Sequence, residues 1–374
     1  MNPAPAEQDF QEAIAFTKRL GRALHRNGAP AYRLEDVLEV LSGTFGLRGD
    51  FFTTPSALFY SFDLPGEGGR AYLQRVRGTE IQFARLVALD RVFNEVVLKK
   101  ISIAEANARL DRVLADRAPW HPLLVGFAFV AASFSAAFFY GGGIREMLLA
   151  AACGIGLGAL SLLTRSVASL ARLFEPLGAF IVAFLATALA SAFGASDDLA
   201  TLAGLVALVP GFSITVAATE LATGHPLSGT GRMANAFMTL MMLGIGVAFG
   251  RSAAEALLGS APPGVIEEAL PGWWEPATLV LAGLSLGVVF QAAPRHFLAV
   301  VAAVFVPWFV LHGAEGHIGL EGALFLAAFA NGIFAHAWAR WRDLPSMIVR
   351  LPGMLILVPG GTGFLSISAL LEGD

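Results

Sequence analysis

The chain has 374 residues, 56% of them apolar and only 14% charged, with a mean hydropathy of +0.65. A soluble domain carries charge on about a quarter of its residues, so a purely water-soluble protein is excluded, and a net charge of −4 argues against nucleic acid as the main partner. The single cysteine, Cys153, lies in an apolar stretch, which leaves no disulfide framework and reads as a small core residue.

The charge is unevenly placed. Of 25 Lys and Arg residues, 16 precede Trp120. The sequence divides into a polar head over residues 1–119, a first membrane repeat over 120–258 and a second over 271–374. The first 30 residues carry Glu7, Asp9, Glu12, Lys18 and Arg19 and no long apolar core, so no signal peptide is expected there.

Four stretches of the head have helical period. Phe10, Ile14, Thr17, Leu20 and Leu24 form the first and weakest. Leu34, Val37, Leu38, Leu41 and Phe45 form a second stripe, and Leu86, Leu89, Phe93, Val96 and Val97 a third. Ile103, Ala106, Leu110, Val113 and Leu114 form a fourth, opened by a capping box of Ser102 and Glu105. Phe51–Leu64 and Tyr72–Val76 read as two strands around a Pro-Gly-Glu-Gly-Gly turn. The expectation is a small α+β domain of order ααββαα. It holds no nucleophile elbow, P-loop or metal-ligand cluster. His25 stands alone on a helix and reads as solvated. Arg70, Arg75, Arg77, Arg85 and Arg91 read as a solvated face, with anionic lipid heads as the alternative.

After residue 120, apolar segments meet or approach the roughly 20 residues that cross hydrocarbon, at 122–140, 145–163, 174–193, 200–223, 231–250, 273–292, 295–312, 319–339 and 346–371. Trp120, Trp273, Trp274, Trp308, Trp338 and Trp341 fall at or near segment ends, as interface anchors do. With the head in the cytoplasm and the spans alternating, only Arg145 and Arg251 fall outside, which satisfies the positive-inside rule.

One segment occurs twice. GLVALVPGFSITVAATELATGH, at 204–225, aligns without a gap on GMLILVPGGTGFLSISALLEGD, at 353–374. Each copy is an apolar stretch interrupted by Pro-Gly and followed by hydroxyl residues. Proline removes a backbone donor and clashes with the preceding turn, and a broken helix within a membrane is tolerated only where it is buried in protein or lines a cavity. The same offset superimposes spans one to three on six to eight, with the halves in opposite orientation. That is the inverted-repeat plan in which broken helices build the binding site. The plan calls for five spans per half, and the second half reaches Asp374 after four. The bland alternative is a pair of proline kinks that only shape packing.

The candidate substrate-binding residues are Pro210, Gly211, Ser213 and Thr215 in the first copy, and Pro359, Gly360, Thr362, Ser366 and Ser368 in the second. Glu220 is the candidate coupling group, because carboxylates deep in a bilayer are costly and tend to face cavities; reaching the interface is its alternative. Glu146 is next in line. Gly154 with Gly158, Gly246 with Gly250, and Gly283 with Gly287 are helix-packing signals. Asn235, Asn331 and His336 read as interhelical hydrogen-bonding groups. His312, Glu315 and His317 read as a solvated outer loop rather than metal ligands.

The stretches FTKRLGRALHRNGAPAYRLEDVLEVLSGTFGL, ISIAEANARL, LVPGFSIT…ELATGHPLSGTGR and LILVPGGTGFLSISALLEGD resemble the threonine/serine exporter family over nearly the whole chain. The resemblance implies export of small hydroxy amino acids driven by the proton gradient. It also points to split relatives that resemble dicarboxylate (succinate) exporters. In that family the second half runs on through another span, and the head is sometimes called hydrolase-like, for which these residues offer no support.

The expected fold is an all-α polytopic membrane protein of about nine spans, an inverted repeat with two broken helices, carrying a small α+β cytoplasmic head. The expected function is secondary export of threonine, serine or a similar small polar metabolite from a bacterial inner membrane, with no enzymatic activity and no cofactor. Alternatives are a dicarboxylate exporter of the same fold or a membrane sensor whose head is the output. Partners are the substrate, protons and the lipid bilayer; an oligomer is compatible with the sequence.

Overall fold

The computed structural model describes residues 5–64, 68–78, 80–259 and 270–357. They divide into two compact units: a smaller one of Met1–Pro119 with Ser213–Ala234 and Asp343–Pro345, and a larger one of Trp120–Phe212, Asn235–Arg342 and Ser346–Asp374.

In the smaller unit, helices α1 (Pro5–Arg26) and α2 (Ala31–Thr44) precede strands β1 (Arg48–Thr54), β2 (Ala57–Leu64) and β3 (Gly68–Arg75), followed by α3 (Phe83–Val97) and α4 (Ile103–Ala115). The sheet is antiparallel in the order β1-β2-β3. Three strands stand where the sequence suggested two. Pro55 cannot donate to a ladder, so the run from Phe51 to Leu64 folds back there, and Thr54 pairs with Ala57 across a Pro55-Ser56 loop. The alternation of β2 turns Leu58, Tyr60 and Phe62 inward, and they share with Phe16, Leu20, Leu34, Leu38, Leu41, Phe83, Leu89 and Leu110 an essentially inaccessible core. Ser102 caps α4 by accepting from the Glu105 amide at 3.2 Å, while the Glu105 carboxylate turns to Arg109 instead of closing the box.

The larger unit is helical: α5 (Pro122–Phe139), α6 (Ile144–Ser166), the short α7 (Ala168–Ala171), α8 (Phe174–Phe193) and α9 (Asp197–Leu205). Two helices run across the boundary between the units, α10 (Gly211–Ala222) and α11 (Pro226–Leu258). Then come α12 (Glu275–Val289), α13 (Phe297–Arg342) and α14 (Met347–Leu357). Among the described residues, six helical stretches are long and apolar enough to cross a membrane. Nine separate spans are not confirmed, because some of the segments do not stand as helices of their own among the described residues. The stretch 200–223 is split between α9 and α10, neither long enough alone. Segments 295–312 and 319–339 fall within α13, which is interrupted at Gly319 (φ 74°, ψ 168°). Of 346–371, the described part is α14. Helix, not loop, holds His312, Glu315 and His317, and the His312 ring nitrogen Nδ1 lies 3.0 Å from the Trp308 carbonyl.

The small-residue pairs are where helices approach most closely. A side chain at Gly154 would meet Val130 Cα at 2.7 Å, one at Gly158 the Gly126 carbonyl at 2.7 Å, and one at Gly246 the Pro176 carbonyl at 2.5 Å. Without hydrophobic drive between helices in lipid, such backbone proximity supplies the packing energy.

Candidate functional site: the helix breaks and the Glu220 pair

At the first break α9 stops at Leu205 and α10 starts at Gly211. Pro210 has no N–H, so the chain closes on itself through turn bonds, Leu208 N–H to Leu205 O at 2.8 Å and Gly211 N–H to Val209 O at 2.8 Å. Pro210 is half-buried and Gly211 buried; Ser213 and Thr215 follow, half-buried, in the first turns of α10. The Thr215 carbonyl accepts from the Thr219 hydroxyl at 2.9 Å. The counterparts Pro359, Gly360, Thr362, Ser366 and Ser368 lie outside the described residues.

The stretches that lead to the two Pro-Gly sequences are built from the same materials. The gap-free alignment that pairs Gly204 with Gly353 also pairs Val182 with Asn331 and Gly154 with Ala303. A side chain at Gly204 would meet Val182 Cγ1 at 2.6 Å and Cys153 Cβ at 3.1 Å; one at Gly353 would overlap the Asn331 side chain and the Ala303 carbonyl. Val182 and Asn331 are thus equivalent neighbours of the two glycines, while the second neighbours, Cys153 and Ala303, stand one position apart in the alignment. Val206, just before the first Pro-Gly, packs on a cluster containing Ala136 and Ala137 of α5. Ile356, just before the second, packs on Leu279, Val304 and Trp308, a cluster that Phe139 of α5 also joins. The last turn of α5 therefore serves both approaches.

Glu220 is fully buried in the smaller unit. Its Oε1 accepts from the Ala31 amide at 2.9 Å and from Arg232 Nη2 at 3.1 Å, and its Oε2 from Arg232 Nε at 3.1 Å. A two-pronged guanidinium–carboxylate pair is among the stronger charge-assisted contacts. Around it, Glu35 accepts from the Thr53 amide at 2.7 Å and lies 3.1 Å from His225 Nε2, while the Ser228 hydroxyl donates to the Thr53 carbonyl at 2.5 Å. His25, expected to be solvated, is buried and donates from Nε2 to the Thr54 carbonyl at 2.8 Å. Burial holds its imidazole below the ordinary range, with the nearby Arg232 adding to the effect and the Thr54 carbonyl and Glu220 opposing it. The chain segment that links α10 to α11 is thus held by α2 and β1 through named polar contacts.

Sequence reasoning missed Arg232 as the partner of Glu220. The signal was present, since the two flank a short Gly-His-Pro turn with opposite charge. It also read Trp308 as an interface anchor, whereas Trp308 is only 8% exposed. Asn235 and His336 are exposed rather than shared between helices, but Asn331 is buried and gives its amide N–H to the Arg350 carbonyl at 2.9 Å. Glu146 is fully buried, accepting from the Gly143 amide at 2.9 Å and the Ser196 amide at 3.3 Å. Among the described residues no group of three His, Cys, Asp or Glu could hold a metal ion.

The chain can be compared with known proteins. A family model described as threonine/serine exporter matches residues 15–253, and a second, Threonine/Serine exporter ThrE, matches 277–374. Pheromone-regulated membrane protein 10 of Kluyveromyces lactis is 26% identical over 98% of this chain and 39% of its own length. The protein of the same name from Saccharomyces cerevisiae is 26% identical over 98% of the chain and 48% of its own length, and that of Candida albicans 25% over 98% and 34%. The chain spans less than half the length of these relatives. No solved structure matches it. With six helices long and apolar enough to cross a membrane among its described residues and the two family models covering most of its length, the chain is a multi-pass membrane protein and belongs to the threonine/serine exporter family.

Proposed function

We propose that the protein is a secondary carrier that exports a small polar metabolite, threonine or serine in the first place, with its N-terminus in the cytoplasm. The observation that carries the proposal is the interruption between Leu205 and Gly211, within a bundle of membrane-length helices and matched in sequence by a second Pro-Gly. An interruption there would be wasteful in a purely structural helix, because it forfeits backbone hydrogen bonds where no water replaces them. A carrier uses such freed groups and helix ends to hold an ion or a zwitterion near the midplane. Pro210 and Gly211 supply the break, with Ser213 and Thr215 as adjoining hydroxyls. Pro359, Gly360, Thr362, Ser366 and Ser368 are proposed to do the same in the second half.

Glu220 is the proposed coupling group. It is the buried carboxylate on the α10–α11 connection, and its three bonds, one from the Ala31 amide and two from Arg232, tie that connection to α2 and α11. Neutral Gln at this position cannot cycle. The expected outcome for Glu220→Gln in proteoliposomes is retained exchange between equal pools and lost accumulation under an imposed pH gradient. Undiminished gradient-driven export would remove Glu220 from the mechanism. Pro210→Ala is expected to lose transport with insertion intact, and normal transport in that variant would move the site elsewhere.

A further inference from the structure

Two polar groups in the second half of the larger unit are buried without partners. Trp308 is 8% exposed and, among the described residues, its indole Nε1–H has no acceptor; Asn331 is 0% exposed and, among the described residues, its carboxamide Oδ1 has no donor, although its Nδ2 is engaged with Arg350. An unmet donor or acceptor removed from water costs on the order of 1–3 kcal/mol, and lipid offers no rescue. The fold does not require either polarity. Under the alignment of the two halves, Val182 stands at the position of Asn331 and Ala159 at that of Trp308.

The two groups lie along one helix. Asn331 presses on Gly353 of α14, and Trp308 shares a cluster with Ile356, one turn further on. Residues three apart lie on the same helix face. The orphaned acceptor therefore lies on α14 at Gly353, and the side chain that carries the orphaned donor belongs to the cluster on which Ile356 of the same helix packs. Phe139 lies against Trp308, 4.7 Å between ring centroids, and fixes the indole. Pro352 inside α14 removes one helical hydrogen bond, so this helix can bend at low cost and uncover both groups.

We propose that Trp308 and Asn331 are substrate-binding residues for an α-amino acid, the indole N–H donating to its carboxylate and the carboxamide oxygen accepting from its ammonium. A donor and an acceptor in sequence fit a zwitterion. A dicarboxylate, which brings no donor at neutral pH, leaves Asn331 unmet. The inference rests on the carrier reading above and names ligands within it.

Counterflow of labelled threonine into proteoliposomes, with KM and maximal rate separated, tests it. Trp308→Phe keeps an aromatic ring at the position beside Phe139 and deletes the N–H together with the pyrrole part of the indole. It should raise KM at least tenfold in protein that still shows a cooperative thermal transition, the smaller ring lowering the midpoint by the void it leaves. Asn331→Leu should raise KM for threonine similarly. A wild-type KM in Trp308→Phe, or in a folded Asn331→Leu, overturns the assignment while leaving the carrier intact. A wild-type protein that carries no amino acid overturns the carrier reading and this one with it.

Discussion

Removing one partner of the Glu220–Arg232 pair should loosen the smaller unit at a defined point. Glu220 is wholly buried and accepts three hydrogen bonds, two from Arg232 and one from the Ala31 amide. Glu220→Gln turns part of that acceptor surface into donors facing donors and leaves the Arg232 charge without its counterion. Breaking one side of a buried pair costs about 3–5 kcal/mol, which at about 1.4 kcal/mol per decade is roughly a 100- to 4000-fold rise in the population with this contact open. The Ala31 amide is the reporter, because it is itself one of the donors. Hydrogen exchange of the peptide containing Ala31 should accelerate by that factor in Glu220→Gln and in Arg232→Met. Replacing both, as Glu220→Leu with Arg232→Met, should recover most of the protection, since a buried pair exchanged for apolar residues is often neutral. Unchanged exchange in Glu220→Gln, or a double variant as damaged as the two singles added together, would refute the reasoning.

Further outcomes follow from the same geometry. Gly353→Ala should lower the thermal midpoint more than Gly204→Ala, because the added methyl meets the Ala303 carbonyl in one case and rotatable Val182 in the other; equal shifts would contradict the packing assigned to α14. His25 has its proton affinity lowered by burial, so the unfolded chain takes up protons first as pH falls through about 6.5. Stability should be full above that value and decline below it, and His25→Gln, which can keep a donor for Thr54, should flatten the acid side of the pH–stability curve. Cysteine introduced by Asp198→Cys should react with an impermeant reagent from outside, and cysteine introduced by Ser169→Cys only after permeabilisation; the reverse pattern would undo the inverted repeat.

What was legible in the sequence was local. Pro210 in its repeated Leu-Val-Pro-Gly announces a break, whereas Pro307 and Pro352 stand inside helices, and the glycine pairs announce close approach because a side chain at Gly154, Gly158 or Gly246 would meet backbone. The Ser102 cap is likewise a three-residue signal. The strand count failed because an apolar run hid Pro55, whose missing donor matters only once a partner strand is present. Tertiary placement was not legible. His25 is buried by a carbonyl 29 residues away, and Glu220 is gripped by an amide 189 residues away, separations at which no periodicity speaks. Trp308 was misplaced for a related reason. Tryptophan at a segment end is read as an anchor, and only the packing of Phe139 and Ile356 around it shows that it faces protein.

The most direct test of the central claim is counterflow with the purified chain in liposomes loaded with a high concentration of unlabelled threonine. The account predicts a transient overshoot of external labelled threonine, competed by serine and absent in Pro210→Ala. If folded, inserted protein gives no overshoot with threonine or serine, the amino-acid carrier reading is contradicted, and an overshoot with succinate alone would assign the same broken helices to a dicarboxylate.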